Sequence, residues 1–126
     1  LELVQSRYNN NPLEIYMTAD QQFEVQFKLL PKMVPDFDMI PNIYKRNAEE
    51  SGISLLYNSF TERNGKKYFI QRTEGVNDDI SYYSILMISE YKDKLFNALI
   101  RIRERSKDDW LDRANEVVES IELKVE

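Results

Sequence analysis

"ISYYSILMISEYKDKLFNALIRIRER", residues 80–105, can be read in two ways, and the choice between them decides the fold. As one helix over 85–103 it would gather Ile88, Leu95, Leu99 and Ile102 near a single stripe and set Glu90 four residues before Lys94. As two strands it breaks at "YKDK", a turn-forming word. "ISYYSILMISE" then has no polar face and suits a strand covered on both sides. "LFNALIRIRER" alternates, with Phe96, Ala98, Ile100 and Ile102 on one side. Asn97, Arg101, Arg103 and Arg105 share the other side with Leu95 and Leu99. The strand reading is preferred because Tyr82, Tyr83, Ile85, Ile88, Ile100 and Ile102 are aromatic or β-branched. An all-helical middle would also leave the preceding segment with few partners.

That segment, "ISLLYNSFTERNGKKYFIQRTEG" (53–75), holds two β-prone runs around Asn64-Gly65, the dipeptide best suited to the positive φ angles of a type I′ hairpin turn. A two-residue turn sets Glu62 opposite Lys67, Phe60 opposite Phe69 and Asn58 opposite Gln71. These are an ion pair, an aromatic pair and an amide pair, all favourable across strands.

Further upstream, "FEVQFKL" puts Phe23, Val25, Phe27 and Leu29 on the buried side of a strand and Glu24, Gln26 and Lys28 on the solvent side. "LEIYMT" is its expected partner through the turn "ADQQ". "NNNP" (9–12) reads as a loop, which leaves "LELVQSRY" as a short leading strand or an irregular terminus. Pro31, Pro35 and Pro41 then interrupt regular structure. Asp36 and Asp38 can cap a helix with Pro41 in its first turn, Ile40, Ile43, Tyr44 and Ala48 on its apolar side and Gly52 at its end.

A last helix begins at Ser106 as N-cap, with Asp109 completing an S-x-x-D box and Asp108 beside the positive helix end. Trp110, Leu111, Ala114, Val117, Val118 and Ile121 make one broad apolar stripe, and "IELKVE" continues as a short extended tail. The order is strand pair, helix, four antiparallel strands, helix. This gives an α+β fold, a mostly antiparallel sheet flanked by helices.

Composition narrows the function. The 126 residues fit one domain over 1–126, with 1–12 expected as an irregular leader. There is no Cys and no His, which removes disulfides, thiolate chemistry, the usual zinc ligands and every imidazole base. An enzyme would have to use carboxylates, Lys or Tyr. A net charge of −5 argues against broad attraction to nucleic acid or an anionic membrane. No apolar run approaches the ~20 residues of a membrane helix. Three glycines supply no phosphate-cradling loop, and no nucleotide or other cofactor is expected. The chain begins with Leu rather than Met, as either a trimmed chain or a processed precursor would, which permits export.

Several words of sequence are similar to those of the PsbP-like superfamily. They are "FEVQFKLLP", the helix close "AEESG", the hairpin "NGKKYFIQ", the paired "YYSILMIS" and "LFNALIRI", and the closing "WLDRANEVVESI". The resemblance spans roughly residues 13–124. It implies an α/β/α sandwich around an antiparallel sheet, a fold shared by an extrinsic photosystem II subunit, a Ran-binding nuclear protein and bacterial exported or lipid-anchored proteins. The proline-rich "LPKMVPDFDMIP" departs from the family's short strand exit, and nothing matches a plant subunit's N-terminal binding segment. Photosystem function is therefore not carried over.

Three groups of residues are candidates for chemistry. Asp36 with Asp38, Asp78-Asp79 and Asp108-Asp109 are expected as turn and cap residues, since a calcium site needs six to eight spaced oxygens. Eight tyrosines, with Tyr82-Tyr83 adjacent, could line a surface but are expected mainly to complete the core, because adjacent strand residues point to opposite faces. Arg101, Arg103 and Arg105, followed by Lys107, are the candidate partner-binding row. The competing expectation is that they pair with acids such as Glu90 and Glu62. The expected role is a non-enzymatic binding or accessory domain of a bacterial exported protein, acting through protein contact. Any membrane attachment would come from a lipid anchor outside this chain. The alternative is a small-molecule or carbohydrate-binding domain, or a weak carboxylate-based hydrolase.

Overall fold

The computed structural model describes residues 2–8, 11–32 and 36–123. Seven strands form one antiparallel sheet in the order β1-β2-β3-β7-β6-β5-β4. They are β1 (Glu2–Tyr8), β2 (Asn11–Met17), β3 (Phe23–Pro31), β4 (Ser54–Arg63), β5 (Lys66–Asn77), β6 (Ile80–Tyr91) and β7 (Lys94–Arg103). Helix α1 (Ile40–Glu50) carries the chain from the middle of the sheet to its far edge, and α2 (Lys107–Ser120) follows β7.

Residues 80–105 are thus a strand pair followed by the start of a short 3-10 turn, and the one-helix reading of 85–103 is excluded. Lys92, at φ 57°, makes the turn between them. The Asn64-Gly65 hairpin has the expected register, with Glu62 opposite Lys67, Phe60 opposite Phe69 and Asn58 opposite Gln71. Both turn residues have positive φ, 52° and 77°. The amide pair also hydrogen-bonds, Gln71 donating to Asn58 at 3.0 Å.

Alternation divides the sheet into two faces. One carries Phe23, Val25, Ile85, Met87, Ile100 and Ile102 against Ala114 and Val118 of α2. Trp110 stacks on Phe23 with ring centroids 5.0 Å apart and planes 16° apart, a geometry worth about 0.5–1.5 kcal/mol beyond the area it covers. The other face carries Phe69, Ile88 and Leu95 against Ile40 of α1. With α1 on one side and α2 on the other, the layers are α/β/α.

Several details differ from the sequence reading. Of the two readings of the leading segment the strand holds: residues 2–8 form β1, so three strands precede α1 rather than a strand pair. Strand β2 begins at Asn11, inside the segment read as a loop, while residues 9 and 10 lie outside the described residues, as do Pro35 and residues 124–126 of the expected tail. Asp36 caps a 3-10 turn (Phe37–Met39), accepting from the Asp38 amide at 2.9 Å, and α1 starts one turn later with Pro41 at its beginning. Ser106 does stand before α2, but its hydroxyl makes no capping bond. It donates to Gln22 instead, so the S-x-x-D box does not form. Glu24, expected on the solvent side, is only 7% exposed.

Candidate functional site

The three arginines do not form one row. Arg101 and Arg103 lie on β7, whereas Arg105 falls in the 3-10 turn (Glu104–Ser106) that ends the strand, so the alternation stops before reaching it. Nor do they pair with Glu90 or Glu62. Glu90 is taken by Lys32. Arg103 and Arg105 instead hold the β2–β3 turn. The Arg103 amide donates to the Gln22 carbonyl at 3.0 Å, and its Nη2 donates to Gln21 Oε1 at 3.4 Å. Arg105 Nε and Ser106 Oγ both donate to Gln22 Oε1, at 2.9 and 2.8 Å. Gln22 is buried, and its own Nε2 donates back to the Asp20 carbonyl at 3.0 Å. The turn is tightened further by the Thr18 hydroxyl and the Gln22 amide, which both donate to Asp20 and hold its carboxyl below the ordinary value of 3.8.

Arg101 differs. Antiparallel pairing places it opposite Glu24 of β3, whose Oε2 accepts from Arg101 Nη2 at 2.9 Å. Gln26 donates to the other carboxylate oxygen at 2.6 Å, and the guanidinium sits over the Tyr82 ring, 4.7 Å from its centroid. A buried carboxylate is costly unless paired and hydrogen-bonded, and these two partners supply both conditions. Arg101 also borders a cleft of about 290 Å³ at the end of the sheet nearest the C-terminus of α1. Thr73, Ser84 and Tyr82 line it, with Ile53 and Val76 beside them.

Gly75 makes room for this arrangement. A Cβ there would stand 3.2 Å from Cγ1 of Ile53, so the missing side chain lets Ile53 lie close to β5. A second cleft, of about 580 Å³, opens beyond Ile53 and Val76 and is bordered by Glu74 and Glu104. Glu74 accepts from Lys107 at 2.8 Å. That bond, more than the surrounding charge, raises the lysine above its ordinary 10.5.

This corner also gathers exposed apolar side chains. Leu56 is 51%, Tyr57 45% and Val76 67% exposed. Leu56 falls in a bulge between Leu55 and Tyr57 on β4, the edge strand. Ser54 pairs with Glu74, so Val76 lies about three residues from the bulge along the sheet, roughly 10 Å at strand rise.

The acidic pairs are separated as the turn reading requires. Asp36 caps the 3-10 turn, Asp78 and Asp79 form the β5–β6 turn at φ 52° and 63°, and Asp108 and Asp109 occupy the first turn of α2. Among the described residues no three acidic side chains come together in a metal-sized group. Tyr82 and Tyr83 point to opposite faces as expected. Tyr83 is buried and accepts from Arg72 at 2.9 Å, while Tyr82 supports Arg101. Among the described residues no helix is long and apolar enough to cross a membrane. Sequence reading missed Gln22 and Glu24, the two residues that decide what the arginines do. A Gln in a turn and a Glu on the polar side of an alternating strand carry no sign of burial.

No protein-family model and no curated protein matches this sequence. Solved structures do. A Pseudomonas aeruginosa protein of unknown function, PA94, superimposes with a TM-score of 0.76 at 7% identity over 98% of this chain and 99% of that one. The cyanobacterial PsbP, CyanoP, from Synechocystis sp. PCC 6803 does so with a TM-score of 0.67 at 11% identity over 97% of this chain and 82% of that one. At such identities the likeness is one of fold, and the fold is PsbP-like.

Proposed function

We propose that the chain is a non-enzymatic binding module that docks a protein partner through the corner formed by Leu56, Tyr57 and Val76, as an accessory domain of a bacterial exported protein. The observation that carries this reading is the gathering of those three exposed side chains at one end of the sheet, two of them on an edge strand. Scattered exposed apolar residues need no explanation, but a local group beside an open strand edge is a contact surface. The bulge at Leu56 turns this part of the edge away from unselective strand pairing, which favours a side-chain-mediated contact. A sequence without His or Cys supports the non-enzymatic reading, and the bacterial sources of the two similar structures support the bacterial setting. Export rests on the family resemblance.

The test is a photo-reactive residue at position 56, with one at the exposed Glu119 of α2 as control, in cells that make the protein naturally. A discrete adduct at 56, absent at 119 and lost with Val76→Asp, is expected. Equal labelling at both sites, or an adduct untouched by Val76→Asp, refutes the docking corner. Recovery of the native protein from the cytosolic fraction refutes export.

A further inference from the structure

The Arg101 cleft is built differently from the docking corner beside it. Glu24 and the Tyr82 ring hold the Arg101 guanidinium in one orientation before anything binds. Glu24 occupies only Nη2. Among the described residues Nη1 makes no hydrogen bond, and Nε is buried without a partner. The hydroxyls of Ser84 and Thr73, on the same cleft wall, likewise make no hydrogen bond among the described residues. Nη1 and the two hydroxyls thus border one concavity on one face of the sheet, with Ile53 supplying apolar surface next to them. Nη1 and both hydroxyls are open to solvent, so an acceptor entering the cleft meets three donors without breaking any bond of the fold.

We infer that this cleft binds a small monocarboxylate with a short branched apolar tail. The carboxylate accepts from Arg101 and from the Ser84 and Thr73 hydroxyls, and the tail lies against Ile53. An arginine donor beside two hydroxyls suits a carboxylate or a phosphate, and the Glu24 carboxylate already on Nη2 disfavours the more highly charged of the two. At about 290 Å³ the cleft is at the small end of ligand sites, with room for a molecule of about seven non-hydrogen atoms. Glu24 has two opposed effects: it orients the guanidinium and offsets part of its charge. The affinity is therefore modest, and removing the Glu24 charge strengthens it. Val76 borders both the cleft and the docking corner, but the anion-binding side chains Arg101, Ser84 and Thr73 belong to the cleft alone and Leu56 to the corner alone.

The experiment is a titration of the ¹⁵N-labelled protein with isovalerate, and with its neutral isostere isovaleramide, followed by NMR. Isovalerate is expected to move the amides of Thr73, Gly75 and Ser84 saturably, with isovaleramide at least about tenfold weaker, the ratio for losing one charge-assisted hydrogen bond. Arg101→Gln should weaken isovalerate by a similar factor, Ser84→Ala by several-fold, and Glu24→Gln should tighten it. Ser84→Ala removes a hydroxyl with no partner in the fold, so it decides the matter even where a change at Arg101 or Glu24 unfolds the chain. Equal binding of acid and amide, no saturable shift by about 50 mM, or wild-type affinity in Ser84→Ala overturns the inference. Leu56→Asp leaves isovalerate binding unchanged, so failure of the docking corner and failure of the cleft give different results.

Discussion

At the residue scale, the decisive side chains are those whose charge is used inside the fold. Arg63, at the end of β4, reaches the last turn of α2, where its Nη1 donates to the carbonyls of Val118 and Ile121, both at 2.7 Å. Terminal helix carbonyls have no partner within the helix, and a guanidinium there also meets the negative end of the dipole. The tyrosine hydroxyl of Tyr68 accepts from the Leu123 amide at 2.8 Å and secures the same end. Arg63→Met keeps most of the aliphatic stem and removes both bonds. It should lower stability by about 1.5–3 kcal/mol, the range for hydrogen bonds to a charged group, measured by urea unfolding with an unchanged m-value. A loss below about 0.5 kcal/mol would show that water replaces the guanidinium without cost. This contact was not legible in the sequence, because Arg63 and Ile121 are brought together only by the packing of α2 on the assembled sheet. The same holds for Gln22, in a polar turn, and Glu24, on the polar side of an alternating strand, which are buried by residues nearly eighty positions away.

At the element scale, what was legible is what short-range chemistry determines. The Asn64-Gly65 hairpin could be read to the residue because a two-residue turn leaves a single register. The strands of 80–103 were legible because β-branched and aromatic residues outweigh a stripe of four aliphatics at helical spacing. The 3-10 turn at Glu104–Ser106 was not, since it depends on Gln22 accepting two donors from across the sheet. The hairpin allows a direct check. Gly65 has φ +77°, and a methyl added there would meet nothing within 4 Å, so Gly65→Ala tests backbone conformation alone. It should cost about 1–2 kcal/mol, the penalty for an L-residue in the left-handed region, read as a shift in the urea midpoint. If stability were unchanged, the turn would tolerate another geometry and the register would not be fixed by it.

At the scale of the whole molecule, the two helices stand in unequal relation to the one sheet. On the α2 side twelve buried residues join β3, β5, β6, β7 and the helix into one core. On the α1 side the buried cluster among the described residues numbers four, of which the helix supplies Ile40, with Phe37 and Tyr44 packed at its margin and Ala48 buried apart from it. Buried apolar area sets how strongly an element is held, so α1 should open while the sheet and α2 remain folded. Native-state hydrogen exchange distinguishes the two cases. Amides of α1, such as those of Tyr44 and Ala48, should exchange through an opening that costs less free energy than global unfolding, whereas those of Ile85, Ile100 and Val118 should exchange only with it. Ile40→Ala should lower the α1 opening energy further. Ile102→Ala, at the centre of the larger core, should lower global stability by about 2–5 kcal/mol. Equal protection of α1 and β7 would mean that one cooperative unit spans both faces. The unequal case bears on function, because Ser51, Gly52 and Ile53 connect α1 to the edge strand and border the clefts. Motion of α1 would then be transmitted to Ile53, the one apolar wall shared by both clefts that does not belong to a strand, and ligand in the Arg101 cleft should slow exchange at Ala48.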